Sequence, residues 1–352
     1  MPDAFMHARI ADSRTGASTL TGKPLDPVDD EEPIAQFRRD VEQSGTDRLE
    51  TDEADALSAL LREQEAVYQE SLIEARPQED PRNRTGAAIR QAVRSQLLRQ
   101  SAVARKLARL DAANVQKFHT VIHHPGHGGP RLPEGPRIDP VVAPDDTPAF
   151  DRREPPYDFP EASSPHAGLS FDHSFAVHQW GVVGHDVEFV HDQEYDDLIR
   201  PDFGYAVTDA HVGIRYRMPE AGRLDLTLVV HNLSSHVRYE IRDKLGPSRS
   251  YLDIEDRFFV RVSGPSGLHT DGVIPLDETI QTSDDRTGTV TDIAQGQRYV
   301  LNVRTGTGFA QGEEVNVLLA SQLRIASTAR LMRNRVSATV SWYLEGMYLR
   351  VI

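Results

Sequence analysis

The stretch EVNVLLASQLRIASTARLMRNRVSATVSWYLEGMYL, residues 314–349, decides the fold of this chain. Apolar residues alternate with polar ones along both of its halves: Val315, Val317, Leu319, Leu323, Ile325 and Leu331, then Val336, Val340, Trp342 and Leu344. A period of two is typical of β-strands with one buried face. Because Asn tolerates the positive φ of a tight turn, we expect one long antiparallel hairpin that turns at Arg333 and Asn334 and places Ile325 opposite Trp342.

The same alternation continues through the C-terminal half of the chain, without helical periodicity. Further strands are predicted at 206–218, 223–232, 236–243, 256–263, 268–275 and 297–304. A second hairpin is predicted over 174–192, with its turn at Gly184 and His185, Trp180 opposite Phe189 and His178 opposite His191. These strands predict an antiparallel β-sandwich or jelly-roll-like domain over 168–352, so the chain is mainly β with an α-helical N-terminal part.

Helical periodicity marks the region that precedes the sandwich. The apolar stripes predict helices at 51–75 and 85–122. The first is mostly acidic and the second mostly basic, which favours an antiparallel helical hairpin over 51–122. We expect this hairpin to dock against the main domain or against a second subunit.

Two segments resemble neither helix nor strand. Residues 1–50 are polar, acidic and interrupted by proline, and are expected to form a mostly disordered tail with a short helix near 33–43. Residues 123–167 are rich in proline and glycine and are expected to form an extended, polyproline-like linker.

The composition excludes several classes of function. The chain has no cysteine, so disulfides, thiolate metal sites and cysteine nucleophiles are excluded. A net charge of −15 disfavours nucleic acid as a partner. No apolar run is long enough to span a membrane, and a standard signal peptide is not evident. We therefore expect a soluble protein, cytoplasmic or exported by a non-standard route.

Histidines provide one candidate metal site. If Asn232–Ser235 is a loop, His231 and His236 become cross-strand neighbours on the outer face of a sheet. Pairing with the preceding strand would add His211 and Asp209 to that face. Three imidazoles and a carboxylate could bind zinc or another divalent metal. The alternative is an exposed polar face that carries histidine without a metal.

A second, weaker cluster lies at the end of the second predicted helix: His119, His123, His124 and His127. His119 and His123 have the i, i+4 spacing that zinc ligands use on a helix, but the run HTVIH lacks the glutamate of the metalloprotease motif. Interaction of these histidines with the helix dipole is the alternative.

No reaction-specific motif is present, neither a nucleophile elbow nor a P-loop nor a dinucleotide fingerprint. The interpretation we favour is a non-catalytic binding or structural assembly protein, a homo-oligomer with the helical hairpin as its docking arm. Two alternatives stay open. One is a metal-dependent enzyme that uses His211, His231 and His236; the other is a carbohydrate-binding module that uses Tyr343 and Tyr348.

Overall fold

The computed structural model describes residues 18–19, 23–24, 39, 49–74, 82–123, 150–163, 166–167, 170–192, 203–243, 250–282, 285–290, 297–306, 308–328 and 331–352. Its helices are α1 (Thr51–Glu74), α2 (Arg82–Gln100) and α3 (Ala102–His123). Its strands are β1 (Ser18–Thr19), β2 (Lys23–Pro24), β3 (Asp151–Arg153), β4 (Phe159–Ser163), β5 (His166–Ala167), β6 (Ser170–Phe175), β7 (Val182–Asp192), β8 (Phe203–Arg217), β9 (Leu224–Asp243), β10 (Ser250–Gly264), β11 (Gly267–Thr282), β12 (Arg286–Val290), β13 (Arg298–Arg304), β14 (Glu314–Thr328) and β15 (Met332–Val351).

The strands form two sheets that pack face to face around one apolar core. The eight-stranded sheet has the order β1-β13-β9-β15-β7-β6, with β12 also paired to β9 and β3 to β15. The seven-stranded sheet has the order β2-β11-β10-β14-β8-β4, with β5 also paired to β8. All pairs are antiparallel except β1 with β13. The predicted mainly β chain with an antiparallel sandwich after N-terminal helices is confirmed.

The two halves of the 314–349 stretch are strands, as predicted, but they do not pair with each other, so the predicted hairpin is wrong. β14 lies between β10 and β8 in one sheet, and β15 lies between β9 and β7 in the other. Leu331, with a φ of 54°, lies where the chain crosses between the sheets. Ile325 and Trp342 both belong to the core, but from opposite sheets. Alternation therefore identified the buried face of each strand and not its neighbour.

Two further turns lie elsewhere than predicted. Residues 232–235 are part of β9, which continues without a loop from Leu224 to Asp243. The hairpin of β6 and β7 does exist, but Phe171 is the residue opposite Phe189. Its turn lies at Gly181, which has a φ of 94°, whereas Gly184 lies within β7.

The last part of the expected linker belongs to the sandwich. β3 pairs with β15 in the eight-stranded sheet, and β4 pairs with β8 in the seven-stranded sheet. Between them Tyr157 is buried, and its hydroxyl donates to the carbonyl of Leu344 at 3.3 Å. Residues 151–153 and 159–163, which the sequence analysis assigned to the linker, are therefore paired strands of the sandwich. Residues 124–149 lie outside the described part of the chain.

Two short pieces of the expected N-terminal tail also pair with the sandwich. Ser18 and Thr19 pair with β13, and Lys23 and Pro24 pair with β11. For these four residues the expectation of disorder is wrong. Most of the tail, including nearly all of the short helix predicted near 33–43, lies outside the described residues. β3 and β4 lie at the other side of the sandwich. Short segments therefore pair with the longer strands at both sides, which protects strand edges from pairing with other chains.

The helical region consists of three described helices, so the predicted hairpin of two helices is wrong. Ser101 interrupts the second predicted helix, and its Oγ accepts a hydrogen bond from the backbone N of Ala104 at 3.1 Å, as an N-cap residue does. The ion pair of Glu53 with Lys106 joins α1 to α3 and agrees with the complementary charges of the sequence.

The helices dock on their own sandwich, one of the two positions that the sequence left open. The ring of Phe118 in α3 lies 5.8 Å from that of Tyr251 and 5.1 Å from that of Phe203, on the outer face of the seven-stranded sheet. Leucines of all three helices also form a buried cluster with Leu331. No helix among the described residues is long and apolar enough to cross a membrane.

Candidate functional site

The outer face of the eight-stranded sheet carries an open polar groove. While α3 packs on the outer face of the other sheet, this groove of about 480 Å³ lies over β9, β12 and β15. Its lining consists of Arg238, Tyr239, Glu240, Thr287, Gly288, Thr289, Arg335 and Ser337. Rigid strands thus hold hydroxyl, guanidinium and carboxylate groups on one exposed surface.

Strand register places the polar side chains of the groove in two rows. In the first row Arg238 of β9 is directly opposite Thr289 of β12 and Ser337 of β15. In the second row Glu240 lies between Thr287 and Arg335 in the same way. Directly opposite residues have Cβ atoms about 4.5–5.5 Å apart, so one ligand can contact all three members of a row.

Ion pairs extend from the groove into a smaller adjoining hollow, which is lined by Glu240, Arg242, Arg333 and Arg335. Arg242 lies 2.6 Å from Oε1 of Glu240, and Arg333 lies 3.7 Å from Oδ2 of Asp192. Arg335 pairs with Glu188 of β7. The hydrogen bond to Glu188 is the main cause of the raised pKa of Arg335. Three of the arginines on this face therefore have a carboxylate partner.

The floor of the groove is shaped by Gly288 above the ring of Tyr239. A Cβ atom at residue 288 would lie 2.4 Å from the Tyr239 hydroxyl, so only glycine fits there without a shift of the ring. Tyr239 is 8% exposed and belongs to the sandwich core. Its ring consequently supports the groove from below and presents almost no area to a ligand.

The predicted three-histidine arrangement is wrong, because its members lie in different sheets. His211 is on β8 in the seven-stranded sheet, whereas His231 and His236 are on β9 in the eight-stranded sheet. The chain crosses the sandwich between β8 and β9 instead of forming the expected hairpin. Within the described residues, no group of three or more histidine, aspartate or glutamate side chains could hold a metal ion.

His211 does meet one of its predicted partners. Its Nδ1 lies 3.6 Å from Oδ1 of Asp209, and its Nε2 lies 3.2 Å from Oε2 of Glu161 on β4. The interaction with Asp209 is the main cause of the raised pKa of His211 and, with Glu161, outweighs the opposite effect of burial. The pair His211–Asp209 was recognisable from the spacing along one strand, but Glu161 was not, because it lay in the expected linker.

His231 belongs to a different cluster. It is 5% exposed, and its Nε2 lies 2.7 Å from Oε2 of Glu345. Arg298 of β13 donates two hydrogen bonds to the same carboxylate, at 2.9 and 3.0 Å. Sequence reasoning missed Glu345 and Arg298, because the pairing of β13 with β9 and of β15 with β9 has no local signature.

The tyrosines proposed as a carbohydrate platform are mostly covered. Tyr348 is 8% exposed and has the guanidinium of Arg152 5.6 Å from its ring centroid. Tyr343 is half-buried, with its ring 6.0 Å from that of His231.

The second histidine cluster stays a prediction. His119 and His123 lie on α3, with their side chains outside the described part of the structure. His124 and His127 lie beyond the described residues altogether.

Comparisons with known proteins give only weak likenesses. The sequence matches no protein-family model and no curated protein. Among solved structures, the carbohydrate-binding module TmCBM61 in complex with β-1,4-galactotriose is similar over 52% of this chain and 88% of its own, with 10% identity and a TM-score of 0.17. The family 11 carbohydrate-binding module of the cellulosomal cellulase Lic26A-Cel5E of Clostridium thermocellum covers 58% of this chain and 96% of its own, with 12% identity and a TM-score of 0.18. A structure of infectious bursal disease virus, Gx strain, covers 63% of this chain and 47% of its own, with 10% identity and a TM-score of 0.14. At these scores the likenesses carry no argument about ligand or partner.

Proposed function

We propose that this protein is a non-catalytic binding protein whose ligand is a carbohydrate, held in the groove on the outer face of the eight-stranded sheet. The observation that carries the proposal is the groove itself, with its two rows of polar side chains over β12, β9 and β15. A volume of about 480 Å³ lies within the range of small-ligand sites, which is roughly 300–1,000 Å³.

The chemistry of the lining suits a ligand with many hydroxyl groups. The hydroxyl groups of Thr287, Thr289 and Ser337 can each donate and accept hydrogen bonds. The guanidinium of Arg238 donates, and the carboxylate of Glu240 accepts. These side chains project from hydrogen-bonded strands, so little backbone conformational entropy is lost when a ligand binds. The proposed carbohydrate site is thus on the same sheet as Tyr343 and Tyr348, but it uses a different part of β15.

We also propose that the sandwich is a jelly roll. Its eight main strands, numbered along the chain from β7 and without β12, have the orders 1-8-3-6 and 2-7-4-5 in the two sheets. This arrangement is that of a double-sheet jelly roll, a fold that lectin domains share with viral shell proteins. Since one fold serves both purposes, the choice of carbohydrate binding rests on the groove and not on the topology.

The assembly hypothesis has weaker support. The helices that would form its docking arm bury Phe118 and several leucines against their own sandwich, so those side chains are occupied. A homo-oligomer stays a prediction, which light scattering coupled to size-exclusion chromatography would test.

A blocking substitution tests the proposed function. Ser337 is exposed in the first row of the groove, and Ser337→Trp would fill the space above Arg238. Asn316→Trp is the matched control, an exposed polar position on the outer face of the seven-stranded sheet. Wild type and control should bind the same glycans on a broad array, and Ser337→Trp should bind none. The proposal fails if no glycan binds to wild type, or if Ser337→Trp binds as wild type does.

A further inference from the structure

We infer that the ligand of the groove carries an acidic group, a carboxylate or a sulfate, that pairs with Arg238. This inference rests on the proposed function and names the class of carbohydrate: an acidic glycan rather than a neutral one. Three observations carry it, namely the charge of the residues that line the groove, the neighbours of Arg238 and the burial of Tyr239.

Positive charge exceeds negative charge among the described residues that line the groove and the adjoining hollow. Their four arginines are Arg238, Arg242, Arg333 and Arg335, and their one carboxylate is Glu240. Arg242, Arg333 and Arg335 each have a carboxylate partner, as described above. In the described part of the chain, Arg238 has no carboxylate within ion-pair distance. The unmatched cation thus lies in the middle of the groove.

The neighbours of Arg238 complete a site for an oxyanion. Arg238 is exposed, and the strand register places it between Thr289 and Ser337, which both carry a hydroxyl group. A guanidinium binds a carboxylate or sulfate through two parallel hydrogen bonds, and both hydroxyls can donate to the remaining oxygen lone pairs. Glu240 is the nearest acid along β9, and Arg242 already holds it, so it competes weakly for Arg238.

The groove lacks what a neutral sugar ring usually needs. Exposed aromatic rings supply broad amphipathic contact area where a partly apolar ligand meets a wet surface. Tyr239 is the one aromatic residue among those that line the groove in the described structure, and it is 8% exposed. Affinity must therefore come from polar and charged contacts, of which those to a charged group are the strongest.

The overall acidity of the chain does not oppose this assignment. A net charge of −15 creates a repulsive field, but the Debye length is about 8 Å at physiological ionic strength. Within that distance, the arginines of the groove make the largest contribution to the electrostatic potential at a bound anion.

Isothermal titration calorimetry with matched glycans tests the inference. The ligands are oligogalacturonate, its methyl ester, a sulfated heparin oligosaccharide and a neutral galactan, all in 0.15 M salt. The proteins are wild type, Arg238→Gln and the control Arg217→Gln, an exposed arginine on the other sheet. Wild type should bind at least one of the two acidic glycans at least tenfold more tightly than the ester and the galactan. Arg238→Gln should lose roughly 10- to 100-fold of that affinity, as expected for a hydrogen-bonded charge, and Arg217→Gln none.

The possible outcomes separate the inference from the proposed function. If wild type and Arg238→Gln bind neutral and acidic glycans equally while Ser337→Trp binds none, the groove binds carbohydrate and the inference is overturned. If no glycan binds to wild type, the proposed function fails with it. Binding of oligogalacturonate alone assigns the acidic group as a carboxylate, and binding of the heparin oligosaccharide, which carries both carboxylates and sulfates, supports an acidic ligand without assigning the group.

Discussion

Nε2 of His231 on β9 lies 2.7 Å from Oε2 of Glu345 on β15, and a break in the strand register brings them together. Leu344 pairs with Val230, but Gly346 pairs with Val229, so Glu345 is an extra residue with no partner on β9. A bulge of this kind redirects the side chain of the extra residue. Here it lets the carboxylate of Glu345 reach both His231 and Arg298.

Replacement of Glu345 should therefore destabilise the sheet in a pH-dependent way. Burial raises the pKa of Glu345, but hydrogen bonds from His231 and Arg298 outweigh it and lower the pKa below the ordinary 4.5. The stabilisation is then fully present above pH 4.5 and is lost as the pH falls through the lowered pKa. Because the side chain is 30% exposed, we expect Glu345→Gln to cost only about 1–2 kcal/mol at pH 7. Urea unfolding at pH 7 and pH 3.5 measures this; an equal loss at both pH values would contradict it.

Asp256 presents the opposite case, a carboxylate that should weaken the fold at neutral pH. It is fully buried on the core face of β10, between Leu276 and Leu323, and its oxygens have no hydrogen-bond partner among the described residues. Burial raises its pKa from 3.8 to about 7. Wild type should therefore lose stability as the pH rises from about 4 to above 7, by up to about 4 kcal/mol in total.

Asp256→Asn removes the ionisation and should flatten this pH profile. The variant should be more stable than wild type at pH 8 and gain little at pH 4.5. Asp172→Asn, at an exposed position on β6, is the control and should leave the profile unchanged. Thermal unfolding between pH 4 and pH 8.5 measures the effect, and a wild-type profile that does not fall toward pH 8 would rule it out.

Arg324 anchors a buried ionic network on the seven-stranded sheet. Its guanidinium lies 2.8 Å from Oε1 of Glu255 and 3.4 Å from Oδ2 of Asp253, and all three side chains are almost completely buried. Arg324→Met would leave carboxylates buried with less compensation, which costs about 3–5 kcal/mol. Arg304→Ala breaks an exposed pair with Asp225 and should cost under about 1 kcal/mol. Chemical denaturation of both variants checks the contrast; similar losses would show that the network contributes no more than a surface pair.

Local patterns in the sequence predicted strand faces well and strand neighbours poorly. Alternation placed Ile325 and Trp342 in the core and His236 on an outer face, which Arg238 shares two residues further along the strand, because side-chain direction depends on a residue's own strand. Asn334 was interpreted as a turn residue. It is instead buried within β15, where Ser250 Oγ donates to its Oδ1 at 2.7 Å and its Nδ2 donates to Ser327 Oγ at 2.6 Å.

The candidate groove could be predicted only in part for the same reason. The outward position of Arg238 follows from the sequence, but Thr289 and Ser337 become its neighbours through pairings of β9 with strands about 50 and 100 residues away. Such pairings depend on the whole topology and leave no local pattern. In the same way, the predicted three-histidine site failed because one crossing between sheets separated His211 from His231.

Phe118 should control whether the helices stay docked on the sandwich. It is 1% exposed and packs against Phe203 and Tyr251, and it is the largest side chain that α3 buries on the sheet. Phe118→Ala should remove about 3–5 kcal/mol of packing energy. The loss should appear first as faster hydrogen exchange in α3, with β9 and β15 still protected, because the buried apolar contacts of the helices among the described residues lie on the outer face of the other sheet and at Leu331. Lys117→Ala, at an exposed position one residue away, is the matched control and should leave exchange in α3 unchanged. Equal acceleration in α3 and in both long strands would mean that the helices and the sandwich unfold as one unit.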